Sequence, residues 1–206
     1  MAVDDEALLQ AWREGDVGAG DELFQRYYEP ILRFFRNKIS GEHLQDLVQQ
    51  TFIGCVEGRE RIRGDKGFRA YLFGVARNTL RNHLKARYRS GREIDLQELS
   101  VVDLAAGPRT LSARREEHRL LLEGLRAIPV SAQIILELRY WEQFKTIEIA
   151  EILDIPHGTA RSRLRRAQEL LHQALGRLAA SKKLLESTMA NLNDWADQCR
   201  NRLGEA

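Results

Sequence analysis

The stretch Gly67-Phe-Arg-Ala-Tyr-Leu-Phe-Gly-Val-Ala-Arg-Asn-Thr-Leu-Arg-Asn-His-Leu-Lys-Ala-Arg-Tyr-Arg89 carries an apolar row and a basic row on one helical period. Reading every fourth residue from Arg69 gives Arg69, Phe73, Arg77, Arg81, Lys85 and Arg89, which are neighbours on a helix surface. Phe68, Leu72, Val75, Ala76, Leu80 and Leu84 supply a face suited to a core. The like-charged pairs 77/81, 81/85 and 85/89 each cost roughly 0.2–0.5 kcal/mol in an isolated helix. A densely negative partner reverses that cost, and nucleic acid is the common one. A merely solvated basic face is the competing reading.

Charge along the chain favours the nucleic acid. Residues 1–58 hold 5 Lys and Arg against 11 Asp and Glu, and residues 59–92 hold 11 against 2. The next block, 93–156, has 7 against 12, and 157–206 has 9 against 5. A total of only +2 therefore hides an acid–base–acid–base alternation. Such asymmetry points to two localised polyanion-binding surfaces on one chain.

At 206 residues the chain has room for one large or two small domains, and 43% hydrophobic content suffices for packed cores. No apolar run approaches the roughly 20 residues of a membrane span. The start, Met1-Ala-Val-Asp-Asp-Glu, is acidic where a secretory signal is basic and then greasy, so the expected compartment is the cytoplasm. Cys55 and Cys199 are far apart and show no metal-binding spacing. Cys55 is expected to be a small buried apolar residue, not half of a disulfide.

Helical periodicity runs through nearly every segment. Ala7–Glu14, Ala19–Lys38 and Glu42–Glu57 precede the basic helix, with Pro30 marking a kink or a boundary inside the second. Leu44, Val48, Phe52 and Cys55 form the inward stripe of the third. Residues 90–112, with Gly91, Gly107, Pro108 and scattered acids, read as a linker. Helices resume to about Leu175, and no strand-like alternation is sustained, so the expected fold is all-α.

Within the second group, Thr146–Leu153, a turn at Asp154-Ile-Pro156 and His157–Leu175 form a helix–turn–helix pattern. Ile149, Ala150 and Leu153 face inward from the first helix, and Ala160, Leu164, Ala167 and Leu171 from the second. Arg161, Ser162, Arg165 and Arg166 are left outside, as on a recognition helix bound for a major groove.

Three stretches carry a family likeness. They are Leu44-Gln-Asp-Leu-Val-Gln-Gln-Thr-Phe52, Phe68-Arg-Ala-Tyr-Leu-Phe-Gly-Val-Ala-Arg-Asn78, and Glu148-Ile-Ala-Glu-Ile-Leu153 with Gly158-Thr-Ala-Arg-Ser-Arg-Leu164. In this order the chain resembles a bacterial RNA polymerase sigma factor of the extracytoplasmic-function (ECF) group, in the sigma-70 superfamily. Departures from the family pattern are Gln50 for Glu, Tyr71 for Trp and Asp154 for the Gly of the turn. Lys145 and Pro156 stand where Ser often caps the two helices, so those caps must shift or be lost.

The resemblance implies a division into region 2 (residues 1–90), a linker (91–112), region 4 (113–176) and a helical extension (177–206). It implies that Asp46, Leu47, Gln49, Gln50 and Ile53 dock on the polymerase clamp, and that the flap packs around Ile134–Trp141. The melted −10 strand would be held by Arg63, Asp65, Lys66, Tyr71, Arg77, Asn78, Arg81, Asn82 and Lys85. Aromatic rings give a sequence-tolerant stacking surface worth about 1–3 kcal/mol per base. Phe68 and Phe73 are discounted, since either serves as core. The −35 duplex falls to Thr159, Arg161, Ser162, Arg165 and Arg166. Expected partners are core RNA polymerase, promoter DNA and an anti-sigma factor, without membrane insertion. No cofactor is expected, and the five dispersed histidines form no catalytic constellation. A stand-alone helix–turn–helix regulator would leave the first two stretches without a purpose, and a recombinase would need a nucleophile that is not apparent. Leu171, Leu178, Leu185, Leu192 and Cys199 recur every seven residues, so the extension reads as an amphipathic helix that finishes a core or serves regulation.

Overall fold

The computed structural model describes residues 4–39, 41–62, 67–87, 100, 116–179, 186 and 188. Eight α-helices are present among them, with no strand beyond an isolated bridge between Ser100 and Pro129. The helices are α1 (Asp5–Arg13), α2 (Val17–Arg36), α3 (Leu44–Gly58), α4 (Gly67–Arg87), α5 (Glu116–Arg126), α6 (Val130–Tyr140), α7 (Thr146–Leu153) and α8 (His157–Leu178). The all-α expectation holds. The expected linker, apart from Ser100, and the extension beyond Ala179, apart from Glu186 and Thr188, lie outside the described residues.

Helices α1 to α4 pack on one another as a first unit. Acids at Asp5 and Glu6 and a base at Arg13 complement the dipole of α1, which buries Leu8, Leu9 and Trp12. Asp16 then caps α2 by accepting from the Ala19 amide at 3.3 Å. Contrary to a boundary at Pro30, α2 is one helix of 20 residues. Pro in a helix interior costs about 3 kcal/mol. Burial of Leu23 and Tyr27 before it and Ile31, Phe34 and Phe35 after it offsets that cost. Trp12, Phe24 and Tyr27 gather around Phe68, the second residue of α4, and Phe52 packs on Phe24 behind them. Gly67 opens that helix at φ +66°, a conformation that favours glycine.

Helices α5 to α8 form the second unit, with α8 touching each of the others. Asp154 ends α7 in the left-handed conformation (φ 53°, ψ 54°), and its amide and that of Ile155 close the turn on Glu151 and Ala150. Lys145 offers no side-chain cap, but its amide donates to Glu148 Oε2 at 2.6 Å, half of a capping box. Asp in place of Gly therefore leaves the turn intact.

The two units are closed on each other, α4 against α7, and their buried side chains form one continuous cluster. Cys55 is fully buried within it, and desolvation pushes its thiol up to about 12. In a Cys199→Ser variant, alkylation at neutral pH should therefore be slow and limited by unfolding. Immediate labelling of the native chain would contradict this burial.

Candidate nucleic-acid and polymerase interface

The outer face of α3 presents Asp46, Gln49, Gln50 and Ile53 to solvent, as expected. Leu47 does not join them. It is 2% exposed and packs in the core, because it falls on the same stripe as Val48, Thr51 and Cys55. An apolar neighbour was missed, however. Val56 is exposed beside Ile53 at a spacing of three, a relation the sequence does contain.

On α4, Asn78, Asn82 and Lys85 are exposed, while Tyr71, Arg77 and Arg81 are partly buried. Arg63, Asp65 and Lys66 lie outside the described residues. The Tyr71 hydroxyl lies over Gly58, where an added Cβ would come within 1.9 Å of it. Only glycine admits the ring there, so α3 backs Tyr71 and orients it. Phe68 and Phe73 are core, as discounted.

The basic row of α4 is not uniform. Arg69 is withdrawn from it, stacking on Phe144 at 4.1 Å from the ring centroid and pairing with Glu142 at 3.1 Å. Phe73 meets the same Phe144 edge-on at 5.5 Å. Glu142 also takes Arg33 at 2.9 Å. Close by, Lys38 is wholly buried, donating to Phe34 O at 2.6 Å and to Glu137, with its Nζ over the Phe34 ring. Glu137 accepts a further bond from Gln133 at 2.9 Å. Burial drives the Lys38 ammonium down and the Glu137 carboxyl up from their ordinary ranges, and each charge opposes the other's shift. This latch between the units was invisible in the sequence, since its partners stand 99 and 109 positions apart.

Helix α8 shows Arg161, Ser162, Arg165 and Arg166 on its exposed face, with Thr159 half-buried. Ser162 Oγ donates to Thr159 O at 3.0 Å, and Glu169 pairs with Arg165 at 3.2 Å and Arg166 at 3.3 Å. Exposed pairs of this kind are worth little and yield readily to a phosphate. The expected flap surface around Ile134–Trp141 is not open in this arrangement. Ile134 to Leu138 and Trp141 are buried, because α6 lies between α8 and the Lys38 end of the first unit.

Two family descriptions match the chain, sigma-70 region 2 over residues 23–90 and sigma-70, region 4 over residues 118–171, together more than half of its length. The ECF RNA polymerase sigma-E factor of Haemophilus influenzae is 28% identical over 179 residues, covering 83% of this chain and 95% of that one. Its counterpart from Escherichia coli is 27% identical over 175 residues, covering 81% and 92%. In fold the chain is similar to CnrH, solved with the cytosolic domain of CnrY, at a TM-score of 0.62, 20% identity and coverage of 85% and 99%. It is also similar to the sigma factor RpoE of Bartonella quintana, solved with the anti-sigma factor NepR, at a TM-score of 0.57, 18% identity and coverage of 76% and 96%. With an exposed polar α3, a basic α4 and a helix–turn–helix in one chain, the protein belongs to the ECF group of the sigma-70 family, the factors that bind core RNA polymerase and direct it to promoters.

Proposed function

We propose that the two units divide promoter recognition between a melted and a duplex element. Asp46, Gln49, Gln50 and Ile53, with Val56 beside them, dock on the polymerase, and Leu47 supports them from beneath. Tyr71, Asn78 and Asn82 hold unstacked −10 bases while Arg77, Arg81 and Lys85 take phosphates. Thr159, Arg161, Ser162, Arg165 and Arg166 read the −35 duplex. The observation that carries this reading is the pairing of exposed amides beside cations on α4 with an arginine-lined outer face on α8. Region 2 is assigned to residues 1–90 and region 4 to 113–176, joined by 91–112, with 177–206 as an added extension, in which Thr188 is buried. The chain works in the cytoplasm as a specificity subunit and leaves the chemistry to the polymerase. No described helix is long and apolar enough to cross a membrane.

Run-off transcription with purified core enzyme tests the assignment. Tyr71→Ala should impair permanganate-detected opening more than closed-complex formation. Arg161→Ala should weaken the closed complex, by about 1–3 kcal/mol if the guanidinium grips a guanine edge in two bonds. Equal losses of closed complex in both variants would dissolve the division.

An anti-sigma factor is a further proposed partner, supported by the Bartonella sigma factor's having been solved with one. Its mark is a protein that silences run-off transcription at one equivalent; a genome-wide screen yielding none removes the proposal.

A further inference from the structure

Where α4 faces α6 and α8, the closed chain leaves a cleft of about 300 Å³. Arg77, Arg81 and Lys85 line it from α4, Arg163 and Arg166 from α8, and Ser131 from α6. No carboxylate belongs to this lining among the described residues. Arg81 Nε is buried there without a hydrogen-bond partner. The Arg77 guanidinium is held below its usual range by burial first, then by the charges of Arg81 and Arg163, with Asp154 pulling the other way. Arg163 is half-buried and has no part in either expected DNA surface.

Like charges on two helices ordinarily relax apart into water. Here the units are tied together by Lys38 with Glu137, and by Arg33 and Arg69 with Glu142, so the five cations stay gathered. A desolvated donor without an acceptor is costly, and an anion supplies charge-assisted bonds to several such donors at once. Guanidinium forks match phosphate oxygens in particular. The volume sits at the low end of small-molecule sites. It suits a short ligand; a nucleic-acid strand would have to part the units to enter.

We infer that this cleft between the units binds a compact polyphosphate, two or three linked phosphates either free or as the tail of a nucleotide, and that the bound ligand holds the chain closed. The site is composite and exists only while α4 and α8 face each other. It goes beyond the promoter-binding assignment, which uses the two helices separately and leaves Arg163 idle.

Titration calorimetry of the full chain tests this with sodium tripolyphosphate and with ATP, in magnesium-free buffer at physiological ionic strength. One equivalent should bind, and interdomain energy transfer should rise. Arg163→Ala should weaken binding by about tenfold or more, the loss of one bond to a charged group. Glu137→Ala, which removes the latch without touching the cleft, should weaken it as well. Equal affinities identify the phosphate chain alone as the ligand, and tighter ATP identifies a nucleotide; either supports the site. No saturable binding overturns it, as does binding that ignores both variants, which is diffuse attraction to a basic surface. Run-off transcription is read separately, so intact transcription without polyphosphate binding sinks this inference alone.

Discussion

Replacing Glu137 by alanine should open the molecule without unfolding it. Lys38 is wholly buried, and Glu137 is the carboxylate it donates to. Breaking a buried pair by removing one partner typically costs about 3–5 kcal/mol, because the remaining charge is left without compensation. In a single domain that cost falls on folding. Here a cheaper route exists, since separating the units brings Lys38 to water at the end of α2. The penalty should therefore appear in the opening equilibrium, shifting it by about two orders of magnitude or more. Fluorophores at Gln25 and Gln173, both exposed and on opposite units, would report a fall in energy transfer and a larger radius of gyration. Melting of each unit should change little. The double variant Lys38→Met with Glu137→Leu should stay closed, because apolar residues of similar size fill such sites at little or no cost. Unchanged transfer in Glu137→Ala would show that Phe144, Arg69 and Glu142 suffice to hold the units.

That latch also marks where sequence reading stopped. The helix–turn–helix was legible almost to the residue, since Thr146–Leu153 and the start at His157 follow from local period and from Pro156, and both are local signals. The polar face of α3 was legible for the same reason. Leu47 was misplaced because a family motif names a helix, whereas burial is decided by the angle of each residue around it. Of the two readings at Pro30, a boundary is excluded because propensity is a local term and the packing of Phe34 and Phe35 is not. Arg69 and Phe73 stand in the same row as Arg77 and Arg81, yet a second unit claims them. Contacts between residues so distant in sequence leave no periodic trace, so neither the closed arrangement nor its composite cleft could be read in advance.

Phe68→Ala should be the most damaging single change within the first unit. Phe68 is 1% exposed and is ringed by Trp12 at 6.3 Å, Phe24 at 6.4 Å and Tyr27 at 5.7 Å between ring centroids. It ties α4 to α1 and α2 at the point where α4 begins. Truncating a buried Phe costs about 3–5 kcal/mol, from lost transfer energy and the void that stays behind. A unit of this size is itself stable by only about 5–10 kcal/mol. The collapse of the void is resisted by three rigid rings, which cannot fill it without leaving their own contacts. Urea unfolding followed by the fluorescence of Trp12, with Trp141 and Trp195 replaced by Phe, isolates this unit. Its midpoint should fall sharply, and polymerase binding, proposed to run through α3, should fall with it, because α3 packs on α4. Phe68→Leu keeps most of the volume and should lose far less. If the alanine variant loses under about 1 kcal/mol, the aromatic cluster is plastic enough to close around the gap. Tyr71 would then owe its placement to Gly58 and α3 alone, not to a rigid start of α4.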